Sequence, residues 1–403
     1  MIKIVQVNAI FGASSTGTIM ENIQHRSLKC GFDAYVVYSI AGVPSDKIIN
    51  GYQIGNNIDE KIHAILSRVC GKQAYYSFFP TLKFIRFLGK LKPDIVHLHN
   101  LHSNYINLNI LLKYLAKHDI ATVITMHDCW YFTGGCFHYT NAGCYKWQHG
   151  CGHCPKRMSD TPAYLCDASK QILNDRNKYL TAIPRLYIVG CSQWVANEAR
   201  KSVLRDCNIR HIYNGFDLDV FKPTSSDIAN KLGLEGKRIL LGPASKWLSE
   251  VNKDTLEYFI RYMPNDCVLV LFGAKEHNKY LANNVLLYGY TRSRDEMAQL
   301  YSMADVFVNC SREDTLSSIN LESQSCGTPV VTYEATGNKE TVGKGCGHAV
   351  ETGNAKALFA ATEQVLAQGK ESYSSPCINW VKSNFDKRTN YEKYIRLYRE
   401  IVG

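Results

Sequence analysis

Short apolar runs alternate with amphipathic segments along the whole 403-residue chain, and the alternation starts twice. Runs at 2–7, 34–38, 94–98, 121–126 and 186–190 have strand length and carry Val and Ile. Between them, 16–29, 106–117 and 168–181 repeat apolar residues at helical spacing. A second set of strand-like runs follows at 238–242, 267–273, 285–288, 305–309 and 329–332. Apolar strands separated by helices fit parallel sheets covered on both faces. The pattern predicts an α/β chain of two Rossmann-like, doubly wound units, which also suits a length beyond one ordinary core. The expected division is 1–211, 212–376 and a C-terminal helix at 377–403 that packs back toward the first unit. Within that last part, 379–402 reads as one long amphipathic helix. Ser293-Arg-Asp-Glu296 has capping-box spacing and predicts a helix to about Met303.

Composition excludes disorder, with 45% hydrophobic and 20% charged residues. No uninterrupted apolar stretch reaches membrane-spanning length. The opening MIKIVQVNAIFG reads as strand and loop without a signal-peptide core, so a cytoplasmic location is expected. Net charge is +10, and the excess is uneven: 61–93 holds seven Lys or Arg and no acid. Tyr75, Tyr76, Phe78, Phe79, Phe84 and Phe87 lie among those cations. Such a segment suits peripheral contact with the inner face of an anionic membrane. It equally suits a helix pair with aromatics in the core and cations in water.

In open parallel sheets ligands bind beyond the carboxyl ends of the strands, so residues just after strands carry the functional reading. Gly12-Ala-Ser-Ser-Thr-Gly17 follows the first strand. Small residues there admit a phosphate to a helix N-terminus, although any strand-to-helix turn uses glycine. The dinucleotide fingerprint G-x-G-x-x-G is absent, which argues against a nicotinamide-dependent dehydrogenase. Thr125-Met-His127-Asp128 ends a buried strand, and on spacing alone His127 reads as a structural histidine bonded to Asp128. The run from Ser311 through Asp314, Thr315, Leu316 and Ser317 to Glu322 leads from a strand into a helix. Amides at that helix start face an anion, a loop carboxylate can bind sugar hydroxyls, and a helix carboxylate can bind a ribose diol.

With Cys326-Gly-Thr-Pro329, this run resembles the acidic-x7-acidic signature of the family-4 retaining glycosyltransferases. Gly12–Gly17, Thr125–Asp128, Asn214-Gly-Phe-Asp217 and Thr336-Gly-Asn-Lys-Glu340 extend the likeness. His97-Leu-His-Asn-Leu-His102 and Cys129-Trp-Tyr-Phe-Thr-Gly-Gly-Cys136 resemble its colanic-acid, capsule and O-antigen branch. The resemblance implies a GT-B fold, two Rossmann-like domains facing a central cleft. It also implies retaining transfer of a hexose from a UDP or GDP sugar to a lipid-linked or oligosaccharide acceptor, without a catalytic metal. Asp314 and His127 take catalytic positions in that scheme. Gly12, Gly17, Thr315, Leu316, Ser317 and Glu322 bind the donor, with Lys246 or Lys253 on the diphosphate. Three departures stand out: Asp314 replaces a Glu, Thr315 stands where glycine is common, and Pro243-Ala-Ser replaces Gly-Arg. They leave a catalytically degenerate nucleotide-sugar-binding protein as the alternative.

Fifteen cysteines are many for a reducing compartment, and five fall between Cys129 and Cys154. Cys136-x7-Cys144-x6-Cys151-x2-Cys154 carries a zinc-knuckle half, so a structural zinc in an insert at about 129–166 is expected. His138, His149 and His153 are substitute ligands. Packed free thiols are the plain alternative. A zinc-dependent nucleic-acid binder is disfavoured, because the basic excess lies far from the cysteines and no RNA-binding motif accompanies it.

Overall fold

The apolar runs become two seven-stranded sheets in a computed structural model describing residues 1–160 and 162–403. The first comprises β1 (Lys3–Val7), β3 (Asp33–Tyr38), β5 (Gly51–Gln53), β6 (Ile95–Leu98), β7 (Ala121–Met126), β8 (Leu186–Gly190) and β9 (Asn208–His211). The short strands β2 (Ile10–Phe11) and β4 (Ile40–Ala41) pair separately. Its order is β5-β3-β1-β6-β7-β8-β9, all parallel, so the winding reverses between β1 and β6. Every residue of β6 and β7 is buried, as continuous Val and Ile runs require in a sheet covered on both faces. The helices here are α1 (Ser14–Lys29), α2 (Asn57–Cys70), α3 (Phe78–Leu91), α4 (Leu108–Lys117), α5 (Ser169–Leu180) and α6 (Gln193–Arg200).

The second sheet runs β12 (Lys279–Ala282), β13 (Val285–Tyr288), β11 (Cys267–Phe272), β10 (Arg238–Pro243), β14 (Val306–Asn309), β15 (Val330–Tyr333) and β16 (Gly347–Val350). All neighbours are parallel except β12, the antiparallel edge. The winding reverses here between β10 and β14. Its helices are α7 (Ile228–Lys231), α8 (Ala244–Trp247), α9 (Lys253–Tyr262), α10 (Arg294–Met303), α11 (Ser318–Ser325), α12 (Ala355–Gln368) and α13 (Glu371–Phe385). A last helix, α14 (Lys387–Val402), ends the chain. At α10, Ser293 Oγ accepts from the Glu296 N–H at 3.1 Å, half of the expected capping box. The other half differs, because Glu296 takes the Arg292 N–H (2.6 Å) and the Tyr288 hydroxyl (2.7 Å).

Two units result: Met1–Asn214 with Arg388–Gly403, and Gly215–Lys387. The continuous helix expected over 379–402 is in fact two helices. Asp386, at φ −56° and ψ 126°, leaves the helical region and bridges to Phe216. The Phe216 N–H donates to Phe385 O at 2.6 Å, and the Lys387 N–H donates to Phe216 O at 3.1 Å. That pairing holds α13 in the second unit. Tyr394, Ile395 and Tyr398 of α14 pack instead with Ile4, Ile95 and Val123 of the first. Among the described residues no helix is long and apolar enough to cross a membrane. The insert expected at about 129–166 includes Thr161, which lies outside the described residues.

Candidate active site

The switch point of the second sheet gathers most of the catalytic and donor-binding residues singled out from the sequence. At the end of β10, Gly242 leaves room for the Trp247 indole, which donates to Val308 O of β14 at 3.0 Å; a Cβ on Gly242 would lie 2.2 Å from that nitrogen. This is why a tryptophan turn follows Pro243-Ala-Ser, and it puts Lys246 beside β14. Asn252 ties the turn down, donating to Lys246 O at 3.1 Å and Cys310 O at 2.9 Å. Asn252 Oδ1 accepts from Arg312 Nε at 2.9 Å. Lys246 is half-buried here, whereas Lys253 is exposed at the start of α9. Arg312 was not singled out from the sequence. Its position two residues before Asp314 was the available signal.

After β14 the chain is clamped from two sides. Asn309 donates to Ser317 Oγ (3.1 Å) and to Asn320 Oδ1 (2.9 Å), while its own Oδ1 accepts from the Ser311 N–H at 3.0 Å. From the other side, the Asp314 N–H donates to Thr336 Oγ1 at 2.9 Å, and Asp314 O accepts from the Gly337 N–H at 2.9 Å. A Cβ on Gly337 would stand 1.7 Å from Thr315 O, so only glycine permits this approach. Two consequences bear on ligands. Ser317 gives α11 no side-chain cap, so the first amides of that helix keep their hydrogens unmatched by a cap. Thr315 Oγ1 is buried without a hydrogen-bond partner. Further in, Glu322 Oε2 accepts from the Tyr301 hydroxyl at 2.8 Å. Burial raises the Glu322 carboxyl to about 7, against the lowering effects of Tyr301 and the Arg294 charge.

In the first unit the switch point lies between β1 and β6. Gly12 has φ +72°, and its N–H donates to Gly17 O at 3.3 Å, so the two glycines close one turn. Gly17 is buried in the first turn of α1, where a Cβ would meet Ile10 O at 2.9 Å, so this close approach requires glycine.

His127, beyond β7, is not bonded to Asp128. The Asp128 carboxylate lies 3.2 Å from His102 Nε2 and accepts from the Trp130 N–H at 2.8 Å. His127 Nε2 lies 3.1 Å from His99 Nδ1, and His99 Nε2 lies 3.1 Å from Gln6 Oε1. The Gln6 amide nitrogen donates to Met20 O at 3.2 Å, which turns Gln6 Oε1 toward His99. The chain of donors then fixes both tautomers: His99 Nε2 donates to Gln6, and His127 Nε2 donates to His99 Nδ1. His127 Nδ1, buried and without a partner, is left as an acceptor. Burial holds the His127 imidazole down at about 4, so it is neutral at pH 7. His97 extends the network with Nδ1 2.6 Å from Tyr398 Oη and Nε2 2.8 Å from Thr125 Oγ1. The His97-x-His99 spacing on a strand was the signal for this row, because alternate residues share a face.

The cysteine-rich loop is organised around Arg176, which lies over the Trp130 ring at 3.9 Å and donates to Trp130 O and Thr133 O. Cys136, Cys144, Cys151 and Cys154 all line one cavity of about 20 Å³, together with Trp147. That volume holds one water-sized occupant. Among the described residues, however, no three His, Cys, Asp or Glu side chains already stand as a metal shell. Among the described residues none of the fifteen cysteines is joined in a disulfide.

Comparison with known proteins accords with this geometry. The Glycosyltransferase Family 4 sequence model matches residues 31–220, and the Glycosyl transferases group 1 model matches 246–368. A protein assigned as the colanic acid biosynthesis glycosyl transferase WcaC of Escherichia coli is 23% identical, over 91% of this chain and 92% of its own. Sucrose-phosphate synthase from Thermosynechococcus elongatus superposes with a TM-score of 0.69 at 14% identity, covering 100% of this chain and 99% of its own. The Anabaena protein HepE in complex with UDP-glucose gives 0.63 at 16% identity, covering 99% and 100%. The fold is thus GT-B, and the two family matches together take in most of the chain. The chain therefore carries a Glycosyltransferase Family 4 domain and a Glycosyl transferases group 1 domain, and it is a glycosyltransferase related to those of colanic acid biosynthesis.

Proposed function

We propose that the enzyme moves a hexose from a UDP or GDP sugar, with retention at the anomeric carbon, to a lipid-linked or oligosaccharide acceptor in bacterial surface-polysaccharide assembly. The observation that carries this reading is the clamped loop Asp314–Ser317, with its unmatched helix amides and the unpartnered Thr315 hydroxyl. Helix amides with Lys246 and Arg312 suit a diphosphate, whose developing charge they stabilise as it leaves. Glu322 suits a ribose diol and Asp314 the hydroxyls of the transferred sugar. For the first unit, His127 Nδ1 serves as a neutral acceptor of a sugar hydroxyl.

In the proposed step the acceptor oxygen bonds to the anomeric carbon as the bond from that carbon to the diphosphate oxygen breaks. The electron pair leaves with the nucleoside diphosphate, and the acceptor's proton passes to the departing phosphate. HepE was solved with UDP-glucose, which favours testing uridine nucleotides first. A thermal-shift series with UDP, GDP, ADP and dTDP tests the donor class. One nucleotide raising the melting temperature is expected, and no shift with any of them would remove the donor-site reading.

We also propose a structural zinc held by Cys136, Cys144, Cys151 and Cys154. Its support is the shared single-atom cavity, since four thiolates complete a closed tetrahedral site. The thiols must draw inward to close on the ion. Metal analysis of purified protein should find one zinc per chain, lost in Cys151→Ser/Cys154→Ser; a metal-free, fully folded wild type would refute it.

A further inference from the structure

An amphipathic helix on a globular protein turns its apolar stripe to the core. α2 does the reverse. Ile58, Ile62, Ile65, Leu66 and Val69 follow one another at helical spacing and are all exposed, Ile58 by 69% and Ile65 by 61%. The residues α2 buries are His63 and Ser67. His63 Nδ1 lies 2.6 Å from Ser77 Oγ and accepts from the Ser77 N–H at 3.2 Å. Ser67 Oγ lies 3.1 Å from both Ala64 O and Asn104 Oδ1. Polar bonds therefore fix the inward face, and the orientation is built in rather than frayed.

Neighbouring segments enlarge the exposed stripe. The Tyr164 N–H donates to Arg68 O at 2.7 Å and the Leu165 N–H to Val69 O at 3.3 Å, which sets these two residues, 57% and 73% exposed, at the end of α2. Phe78 and Phe79 follow the tethered Ser77 and are 50% and 74% exposed. Lys61 and Arg68 flank the stripe, and Lys83, Arg86 and Lys90 stand exposed on α3.

Two features decide what covers this face. Protein interfaces are depleted in lysine at their cores, and a symmetric pairing of two copies would set these cations against their own kind. Ile, Leu and Phe bordered by Lys and Arg, without an acid from 61 to 93, match instead the acyl chains and anionic headgroups of a bilayer. We propose that the α2 face, with Tyr164, Leu165, Phe78 and Phe79, docks the enzyme on an anionic lipid bilayer. The inference stands on this surface alone and not on the donor site.

Flotation of the full-length protein with phosphatidylethanolamine vesicles containing phosphatidylglycerol tests it, against phosphatidylcholine vesicles. Partition onto the anionic vesicles is expected, weakened by high salt and at least about tenfold lower in Ile62→Gln/Ile65→Gln/Phe79→Gln. Lys61→Glu/Arg68→Glu/Lys83→Glu should lose partition without losing any apolar contact. Each variant should keep the wild-type melting temperature, since the substituted side chains are exposed. Three results would overturn the proposal: no partition onto anionic vesicles, equal partition onto phosphatidylcholine, or partition unchanged in both variants. A concentration-dependent dimer in sedimentation velocity that the glutamine variant dissolves would assign the face to a second copy instead.

Discussion

The two units share a winding scheme and differ in how their switch points end. Beyond β1 and β6, polar groups satisfy one another: Gln6 fixes His99, His99 fixes His127, and one neutral acceptor nitrogen remains. Beyond β10 and β14, hydrogen bonds from Asn309, Thr336 and Gly337 clamp a loop, and Asn252 ties Lys246 O and Arg312 to its start. Topology thus decides where a site lies, and side-chain supply decides its chemistry. The first unit offers an uncharged hydrogen-bond partner, suited to hydroxyls. The second offers positive charge and helix amides without a side-chain cap, suited to phosphate.

The sharpest way to break that division is within the second unit, between its two carboxylates. Asp314→Ala should lower kcat by about 100-fold with nucleotide affinity within about twofold, because it removes an interaction with the transferred sugar. Glu322→Ala should do the opposite, weakening nucleotide binding by about tenfold, or 1.4 kcal/mol. Calorimetric titration with the nucleotide identified by thermal shift, alongside steady-state kinetics, separates the two. Unchanged nucleotide affinity in Glu322→Ala would sink its ribose role.

Next in size comes a comparison of glycines. Gly337→Ala drives a methyl into Thr315 O and should weaken nucleotide binding about tenfold or more by displacing the clamp. Gly17→Ala meets Ile10 O in the first unit, and should lower the melting temperature while leaving nucleotide affinity within about twofold. A larger affinity loss from Gly17→Ala than from Gly337→Ala would move the nucleotide away from the second unit.

The fold was legible because strand burial is written as continuous apolar runs, and 121–126, 186–190 and 285–288 coincide with β7, β8 and β13. Short edge strands such as β5 and β16 were not, since three or four residues carry too little pattern to outweigh a loop reading. Periodicity reported the amphipathic character of the basic segment but not which side faces inward. The structure divides the two readings: α3 buries Phe84, with Phe87 stacked on Tyr52, while α2 turns its isoleucines to solvent. At the site, Asp314, Thr315 and Glu322 were visible as a motif. Asn252, Asn309 and Tyr301 were not, because their role is to hold other atoms in place, 58 residues away for Asn252 and 21 for Tyr301, and within the loop itself for Asn309.

Two lysines sharpen the comparison further. Lys246→Ala should weaken nucleotide binding about fivefold, since a charge beside a diphosphate is removed. Lys253→Ala, on the exposed start of α9, should stay within about twofold. Similar losses in both would mean that the positive field, rather than a placed cation, holds the diphosphate.

The smallest effect opposes the units most directly. His127 has its imidazole lowered from 6.5 to about 4, so the unfolded chain takes up a proton that the folded unit refuses. Its stabilising effect is complete above pH 6.5 and is lost as pH falls toward 4. Glu322 has its carboxyl raised from 4.5 to about 7, so here the folded unit binds the proton first. Its effect runs the other way: stability is gained as pH falls from 7 and is complete below 4.5. Between pH 6.5 and 5 the first unit should loosen and the second tighten, each kcal/mol moving a melting temperature by about 2–4 °C. Hydrogen exchange followed separately in β7 and α11 reads both, with His127→Gln reducing the first trend, to which burial of His63, His97, His99 and His211 in the same unit also contributes, and Glu322→Gln reducing the second. Parallel trends in the two elements would show that the chain opens as one cooperative block, and that the contrast between the switch points does not reach their local stability.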